Sequence, residues 1–353
     1  EPAPHSTSPI LNYRQLFTDK LVAMPNPNRR AVIDLGSNSA LLVISELKTS
    51  EFDPEENQLE SNQSGQKLAA WDPIYEESII TALGEGTKST GLINEPGATN
   101  ALKALNHYYQ LAHQFDCQHI VAAATMAVRI ASNAQEFLTR CQSQQTPVIV
   151  LSGEQEAELG FFSVVEDPIF AQHQRISIID PGGHSTEIVT AQKNGENWEI
   201  LYRNSFPIGT LAIRSQLLPS ETNEGLNLLK ATSSLDNTLG LCYLPGKCGE
   251  VIALGAAGTN LLSIRDAILE WDPDRVHGQT LTYEEISKSV GWLMPLTDVA
   301  RAAIPGLEKG REKTIHHGAL ILERCLFALR AEYCRLSVRG WRHALLNRIE
   351  QFI

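Results

Sequence analysis

The stretch RISIIDPGGHSTEIVTAQ (175–192) places a turn of glycine and polar residues between two apolar runs. A pair of glycines lets backbone N–H groups turn toward an anion, and the hydroxyl groups that follow add further donors. The aspartate that opens the turn is suited to a metal ion or a water molecule. An ordinary hairpin turn has a similar composition, so this stretch alone leaves both interpretations open.

An earlier stretch repeats the pattern in the same frame. AVIDLGSNSALLVI (31–44) and SIIDPGGHSTEIVT (177–190) each contain an apolar strand, an aspartate, a glycine two residues later, a donor side chain, a serine and a second apolar strand. The frame equates Asp34 with Asp180, Gly36 with Gly182, Asn38 with His184, and Ser39 with Ser185. We interpret the repeat as a duplicated α/β domain, whose two turns would point into one cleft.

Predicted strands and helices alternate between and beyond these turns. HIVAAAT (119–125) and PVIVLSG (147–153) are typical of buried strands, whereas PGATNALKALNHYYQLAHQF (96–115) has helical spacing and AVRIASNAQEFLTRC (127–141) is helix-like. The polar stretch TSEFDPEENQLESNQSGQK (49–67) predicts an inserted loop. We therefore predict an N-terminal extension (1–29), domain I (30–152) and domain II (153–353), with the final helix packing back on domain I.

Composition limits the class of protein. The chain has 353 residues, of which 42% are apolar and 20% charged, and a formal net charge of −12. These values predict a globular protein and argue against a binder of nucleic-acid polymers or of membrane surfaces, which usually need a basic face. Six cysteines lack metal-ligand spacing, and only Cys242 and Cys248 are close in sequence. Without a membrane-length apolar run or a signal pattern, we expect a cytoplasmic protein.

Seven motifs together resemble those of the exopolyphosphatase and guanosine pentaphosphate phosphatase (Ppx/GppA) family, in order and in approximate spacing over residues 30–345. They are DLGSNS (34–39), LGEGTKSTGLI (83–93), TMAVRIASN (125–133), SGEQEAELGF (152–161), DPGGHSTEIV (180–189), IGT (208–210) and LGAAGT (254–259). The resemblance implies two duplicated RNase H-like domains of the actin and sugar-kinase (ASKHA) superfamily, with an interdomain cleft. A homodimer is compatible with it.

The resemblance also implies where phosphates bind. Three loops would hold them: Gly36, Ser37, Asn38 and Ser39; Gly182, Gly183, His184, Ser185 and Thr186; and Gly255, Ala256, Ala257, Gly258 and Thr259. The third loop precedes a predicted helix, whose N-terminus favours anions. Without the other two loops, we would interpret it as a plain strand-to-helix connection. Arg311 aligns with a family arginine of less certain role.

Catalytic and metal-binding roles follow from the same resemblance. Glu156 matches the acid that orients water, although Glu154 and Glu158 beside it leave the residues alone undecided. Arg129 matches an arginine that reaches a substrate phosphate, while a lone helical arginine is more often a surface ion pair. Three carboxylates would hold Mg²⁺, directly or through water: Asp180, Glu187 and Asp34.

Departures from the family pattern bear on the substrate. His184 replaces the usual third glycine of the second loop, where it would either donate to a phosphate or narrow the loop. The resemblance implies a short two-domain form, and YEESIITAL (75–83) is acidic, so long polymers should bind weakly. We predict a Mg²⁺-dependent exopolyphosphatase acting on inorganic polyphosphate. The alternatives are a hydrolase of the terminal phosphate of pppGpp, and a non-catalytic guanosine-phosphate-binding regulator.

Overall fold

Two mixed β-sheets with helices on both faces form the described part of the protein. The computed structural model describes residues 26–47, 71–216, 224–240 and 247–353. Most of the predicted extension, all of the predicted insertion at 49–67, and Cys242 lie outside these ranges. Residues 26–29, assigned from sequence to the extension, belong to the first strand.

The first sheet has five strands in the order β3-β2-β1-β4-β5. They are β1 (Asn26–Leu35), β2 (Ser39–Leu47), β3 (Trp71–Ile80), β4 (Cys117–Ala124) and β5 (Val148–Val150). β1, β2 and β3 are antiparallel neighbours, whereas β4 runs parallel to β1 and β5 parallel to β4. The acidic segment that begins at Tyr75 therefore lies in the edge strand β3.

The second sheet repeats this arrangement and adds one strand. Its order is β10-β11-β9-β6-β7-β8. The strands are β6 (Arg175–Pro181), β7 (Thr186–Asn194), β8 (Asn197–Phe206), β9 (Glu250–Ala253), β10 (Thr280–Thr282) and β11 (Tyr333–Leu336). β8, β7 and β6 are antiparallel neighbours, and β9 and β11 continue in parallel. Because both sheets share one five-strand topology, the predicted α/β duplication is confirmed.

Fourteen helices accompany the strands within the described ranges. They are α1 (Thr87–Thr90), α2 (Glu95–Gln114), α3 (Met126–Ile130), α4 (Ala134–Ser143), α5 (Gly153–Val165), α6 (Pro168–Ala171), α7 (Thr210–Gln216), α8 (Glu224–Leu239), α9 (Ala256–Arg265), α10 (Pro273–Val276), α11 (Tyr283–Leu293), α12 (Asp298–Ala302), α13 (Ile315–Leu329) and α14 (Trp341–Leu346). None of them combines the length and the apolar composition needed to cross a membrane.

One predicted helix is divided in two. Residues 127–141 form α3 and α4, because the backbone of Ala131 is extended and ends α3. Asn133 explains why the break persists: its side chain accepts a hydrogen bond from Ile93 N at 2.8 Å and donates to Ile93 O at 3.0 Å. The break therefore ties the loop before α2 to the start of α4.

Alternating side chains of β1 are buried on both faces of the first sheet. Ile33 and Leu35 pack in the cluster that contains α2, whereas Val32 packs with α5 and α14. This period of two explains the near-continuous apolar run AVIDL, since a strand covered on both faces has no exposed side. β1 therefore ends buried, with Asp34 close to its final residue.

Helix α5 is shared by the two sheets. Leu159 lies in the cluster with the first sheet and α14, whereas Phe161 and Val164 pack with Ile176 of the second sheet. We call the first sheet with α1–α4 the first lobe, and the second sheet with α6–α13 the second lobe. The N-terminus of α5 consequently lies where the lobes meet.

Candidate active site

The two duplicated turns have the same geometry. Gly36 N donates to Ser39 O at 2.9 Å, and Gly182 N donates to Ser185 O at 2.8 Å. A Cβ added at Gly36 would lie 3.1 Å from Ser39 O, and one added at Gly182 would lie 3.0 Å from Ser185 O. Matching hydrogen bonds and matching space support the frame in which Asp34 corresponds to Asp180.

The turns face each other at short range. A Cβ at Gly183 would lie 3.0 Å from Ser37 Cβ and 3.6 Å from Asn38 N, so glycine permits the close approach. The motif IGT (208–210) is hydrogen-bonded to the second turn, since Thr210 N donates to Gly182 O at 3.0 Å. Residues of the two predicted phosphate loops are thus brought together where the two lobes meet.

Asp34 and Asp180 lie at the ends of equivalent strands and influence each other electrostatically. Burial raises the pKa of each to about 7, and the charge of Asp34 adds to the rise at Asp180. Glu187, which pairs with Asp180 in the register of the hairpin, is also buried and raises the pKa of Asp180 further. Such a group of carboxylates favours a cation, because a positive ion relieves the mutual repulsion.

Glu187 is fixed by its own hydrogen bonds. Ser205 Oγ, on the adjacent strand β8, donates to Glu187 Oε1 at 2.6 Å. Ser185 donates a second side-chain hydrogen bond to the same carboxylate. Burial nevertheless raises the pKa of Glu187. The side chain is therefore held in one orientation beside Asp180.

Glu156 is the member of its acidic cluster that turns toward the carboxylates. Glu154 and Glu158 are exposed, while the Glu156 side chain is only 15% exposed. Burial raises the pKa of Glu156, and the charges of Glu187 and Asp180 raise it further. Three-dimensional placement thus distinguishes the three glutamates, which the sequence alone does not.

Arg129 holds Glu156 directly. Its Nη1 donates to Glu156 Oε2 at 3.2 Å and to Leu151 O at 2.7 Å. The positive charge opposes the upward shift in the pKa of Glu156. The second terminal nitrogen, Nη2, lies 3.8 Å from the Met126 sulfur, a weak acceptor. Among the described residues, Arg129 therefore has one terminal nitrogen bound to the carboxylate and another whose contact is the weak sulfur acceptor.

The capping residues of α5 explain why Gln155 stands beside Glu156. Ser152 Oγ accepts a hydrogen bond from Gln155 N at 3.1 Å, and Gln155 Oε1 accepts one from Ser152 N at 2.9 Å. This reciprocal pair fixes the first turn of the helix. The side chain of Gln155 is therefore committed to capping α5.

The third predicted loop divides between the site and the core. Gly255 has φ +76°, and a Cβ there would lie 3.2 Å from Asp180 Oδ1, so this residue borders the carboxylates. Ala256 begins α9 without a side-chain cap. By contrast, a Cβ at Gly258 would lie 2.6 Å from Leu336 Cδ2, which places Gly258 in the core. Ala257 and Thr259 are buried as well.

Arg311 approaches the first loop from the second lobe. Its Nη2 lies 3.5 Å from Ser39 Oγ, at the limit of a hydrogen bond, while its Nε donates to Glu308 Oε2 at 2.9 Å. Ser39 is thereby contacted from both lobes. Ser37 and Asn38 are buried in the same loop, and Asn38 Nδ2 has no hydrogen-bond partner in the described structure.

Sequence reasoning missed two basic residues at this site. Arg342, on α14, lowers the pKa of both Asp34 and Asp180 by its charge and donates to Glu76 Oε1 at 3.0 Å. Lys88, on α1, contacts the second loop at His184 O, 2.9 Å away. Lys88 lies within the motif LGEGTKSTGLI (83–93), so the sequence contained a signal that could have identified it. Nothing local marks Arg342, which lies more than 300 residues from Asp34.

A preformed metal centre is absent from the described ranges, since no three His, Cys, Asp or Glu side chains there are arranged to hold an ion. The donor set still fits Mg²⁺: Asp34, Asp180 and Glu187 are oxygen donors whose charges repel one another. Mg²⁺ characteristically keeps several water ligands and needs only one or two carboxylates. The residues therefore fit a water-rich magnesium site better than a closed protein cage.

Comparisons with known proteins agree with this fold. The profile of the Ppx/GppA phosphatase family matches residues 62–351. Exopolyphosphatase 1 of Mycobacterium tuberculosis is 24% identical over 325 residues, which cover 91% of this chain and 88% of that protein. A crystal structure of the Aquifex aeolicus member of the Ppx/GppA family superposes with a TM-score of 0.70 at 26% identity, covering 92% of this chain and 98% of that one.

A further relative is longer than this chain. The bifunctional 3-dehydroquinate synthase/phosphatase of Fusobacterium nucleatum is 24% identical over 306 residues, which cover 84% of this chain but only 43% of that protein.

The two paired sheets and the structural comparison define a protein of the actin-like ASKHA fold. Within that class, the chain belongs to the Ppx/GppA phosphatase family.

Proposed function

We propose that the protein is a Mg²⁺-dependent exopolyphosphatase that releases orthophosphate from the ends of inorganic polyphosphate. One observation carries the proposal: equivalent turns of two lobes bring Asp34 and Asp180 together, beside a glutamate held by an arginine. Hydrolysis of a terminal phosphoanhydride needs donors for phosphoryl oxygens, a cation and a base for water. The site contains candidates for each.

Glu156 is the proposed base. Its carboxylate takes a proton from water as the water oxygen forms a bond to the terminal phosphorus. The bond from that phosphorus to the bridging oxygen breaks, and the electron pair leaves with the shortened chain. Arg129 fixes the orientation of Glu156 through the 3.2 Å contact, so attack occurs from one direction.

The phosphate would be held between the lobes. Backbone N–H groups and hydroxyls of the two facing turns are the proposed ligands, as are Gly255 at the start of α9 and Arg311 beside Ser39. Asp34, Asp180 and Glu187 would hold Mg²⁺. When bound, the ion offsets negative charge on the phosphoanhydride oxygens. Its charge also lowers the pKa of Glu156, which keeps that carboxylate able to accept a proton.

Polyphosphate is the proposed substrate because the curated relatives of similar length are named exopolyphosphatases. In the edge strand β3, Glu76 is paired with Arg342 and Glu77 with His107, so these two acids add little free charge. The formal net charge of −12 still repels long polyanions more than short ones, so short chains should be preferred. Hydrolysis of pppGpp uses the same chemistry and is therefore an arm of the test.

The experiment offers long polyphosphate, short polyphosphate and pppGpp in parallel and measures orthophosphate with Mg²⁺ or with EDTA. With Mg²⁺ we expect orthophosphate release from polyphosphate, and none with EDTA. At low substrate concentration, release from short chains should be faster than release from long chains. Release from pppGpp alone would transfer the assignment to a guanosine pentaphosphate phosphatase. Tight guanosine-phosphate binding without any release would identify a regulator instead.

A further inference from the structure

Two contacts join the lobes. From the second lobe, the ring of His184 packs against Gly84 of the first lobe, where an added Cβ would lie 2.7 Å from His184 Cε1. From the first lobe, Lys88 Nζ donates to His184 O at 2.9 Å and to the carbonyl of Pro207. We call these contacts of Gly84, Lys88, His184 and Pro207 the interlobe clamp. A hydrogen-bonded contact and a packing contact thus join the lobes at the same place.

The ring of His184 is committed to this contact. Its Nδ1 is buried and has no hydrogen-bond partner among the described residues. A neutral imidazole carries one N–H donor and one acceptor nitrogen. Burial lowers the pKa of His184 to about 4, and the charge of Lys88 lowers it further, so the ring is neutral near pH 7.

The surroundings fix the ring against the first loop. His184 is 2% exposed, and a Cβ at Gly84 would lie 2.7 Å from its Cε1 and 2.8 Å from Ser37 Cβ. Gly84 N also donates to Ser37 O at 2.7 Å. His184, Gly84 and the first phosphate loop therefore pack as one unit, and a shift of the ring would displace the loop.

Lys88 provides the charged half of the clamp. Its side chain is half-buried, and its two acceptors come from two separate segments of the second lobe, the loop at His184 and the turn before α7. A hydrogen bond from a charged donor is stronger than one between neutral groups. The nearby Arg214–Glu85 ion pair, at 3.2 Å, also joins the lobes but is solvent-exposed and contributes less.

We propose that Lys88 and His184 are positioning residues, which hold the second phosphate loop in register with the first without touching substrate. This inference rests on the proposed function for its kinetic consequence, but the clamp itself does not require turnover. The side chain of His184, predicted from sequence to bind phosphate, is assigned here to the lobe contact. Its backbone N–H remains a candidate phosphate ligand.

The test is amide hydrogen exchange followed by mass spectrometry on the full chain without substrate. Lys88→Met removes the charge and keeps much of the length, and Lys103→Met, at an exposed position of α2, is the matched control. We expect peptides covering 180–190 and 206–213 to exchange about tenfold faster in Lys88→Met, because local opening loses two hydrogen bonds. Peptides of α2 should not change. Lys88→Arg, which can still reach both carbonyls, should restore most of the protection.

A double-mutant cycle links the two halves of the clamp. If both contacts close one interface, His184→Gly combined with Lys88→Met will speed exchange less than the product of the two single effects. Exchange rates in Lys88→Met within about twofold of the control would overturn the proposal. So would strictly independent effects of the two substitutions.

Kinetics separate the positioning role from direct substrate binding. A positioning residue predicts a similar loss of kcat/KM, about tenfold, for short and long polyphosphate. A loss that grows with chain length, with exchange unchanged, would make Lys88 a substrate ligand and contradict the proposal. If wild-type protein releases no phosphate, the proposed function fails while the exchange data still decide whether the clamp exists.

Discussion

At the residue scale, the site is a group of buried carboxylates whose charges oppose one another. Asp34 and Asp180 each have a pKa raised to about 7, well above the unfolded value near 4. Between these two values the unfolded chain has released protons that the folded chain retains. The free energy of unfolding therefore falls as pH rises from about 4 to about 7. Above that range the loss is complete and remains constant.

This linkage predicts how Mg²⁺ and Asp180 affect thermal unfolding. Without Mg²⁺, the melting temperature should fall as pH rises through this range, and Asp180→Asn should reduce the fall. At about pH 8, Asp180→Asn should melt at a higher temperature than wild type because it lacks this repulsion. The expected rise is roughly 2–4 °C for each kcal/mol gained in the free energy of unfolding. Millimolar Mg²⁺ should stabilise wild type more than Asp180→Asn. Equal stabilisation of both proteins in differential scanning calorimetry would show that Asp180 is not part of the cation site.

Arg129 should control the protonation of Glu156. Replacing the guanidinium in Arg129→Met removes the charge that opposes the rise in the pKa of Glu156. We expect kcat to fall about 100-fold and the acidic limb of the pH–rate profile to move to higher pH. Arg140→Met, which breaks an exposed fork to Glu95, is the control and should leave the profile unchanged. An unshifted limb in Arg129→Met would separate Arg129 from the base.

At the scale of elements, the duplicated hairpins were predictable because their pattern is local. β1 with β2, and β6 with β7, each join two apolar runs across a turn of fixed composition, and the structure repeats one hydrogen bond in both. The split of 127–141 into α3 and α4 was not predictable. It depends on Asn133 binding the backbone of Ile93, a contact 40 residues away that no helical periodicity reveals.

The segment at Gly84 gives a steric prediction at this scale. Gly84→Ala would place a methyl group 2.7 Å from His184 Cε1 and 2.8 Å from Ser37 Cβ. We expect a loss of about 1–3 kcal/mol in the free energy of unfolding, as in other overpacked sites, together with lower kcat/KM. In contrast, Gly291→Ala on α11 meets open space and should be neutral or stabilising by about 0.5–1 kcal/mol. Urea unfolding of both variants distinguishes crowding from a general effect of alanine.

At the scale of the whole molecule, residues from distant parts of the sequence complete the site. Glu156 lies in the first turn of α5, a helix shared by both lobes, and Arg342 comes from α14, which packs on the first sheet. The sequence predicted the motif residues through their order along the chain. It missed Arg342 because a single arginine near the C-terminus carries no local pattern, and its charge matters only once α14 lies beside Asp34.

The packing of α14 should contribute substantially to stability. Trp341 is 5% exposed and lies in one cluster with Val32 and Leu159. We expect Trp341→Ala to lower the free energy of unfolding by about 3–5 kcal/mol, as for other buried aromatic truncations. Trp271→Ala, at a position 56% exposed, should change it by no more than about 0.5 kcal/mol. Similar unfolding midpoints in urea for the two variants would show that α14 is not integral to the fold.

The most direct test of the central claim compares Glu156→Gln with Glu158→Gln in Mg²⁺-dependent orthophosphate release from short polyphosphate. Both substitutions remove one charge from the same helix turn, but only Glu156 faces the buried carboxylates. The account predicts that Glu156→Gln lowers kcat by about 100-fold to 10,000-fold with polyphosphate still bound, while Glu158→Gln retains wild-type turnover. Equal activity of the two variants would contradict the assignment of the base, and with it the proposed site.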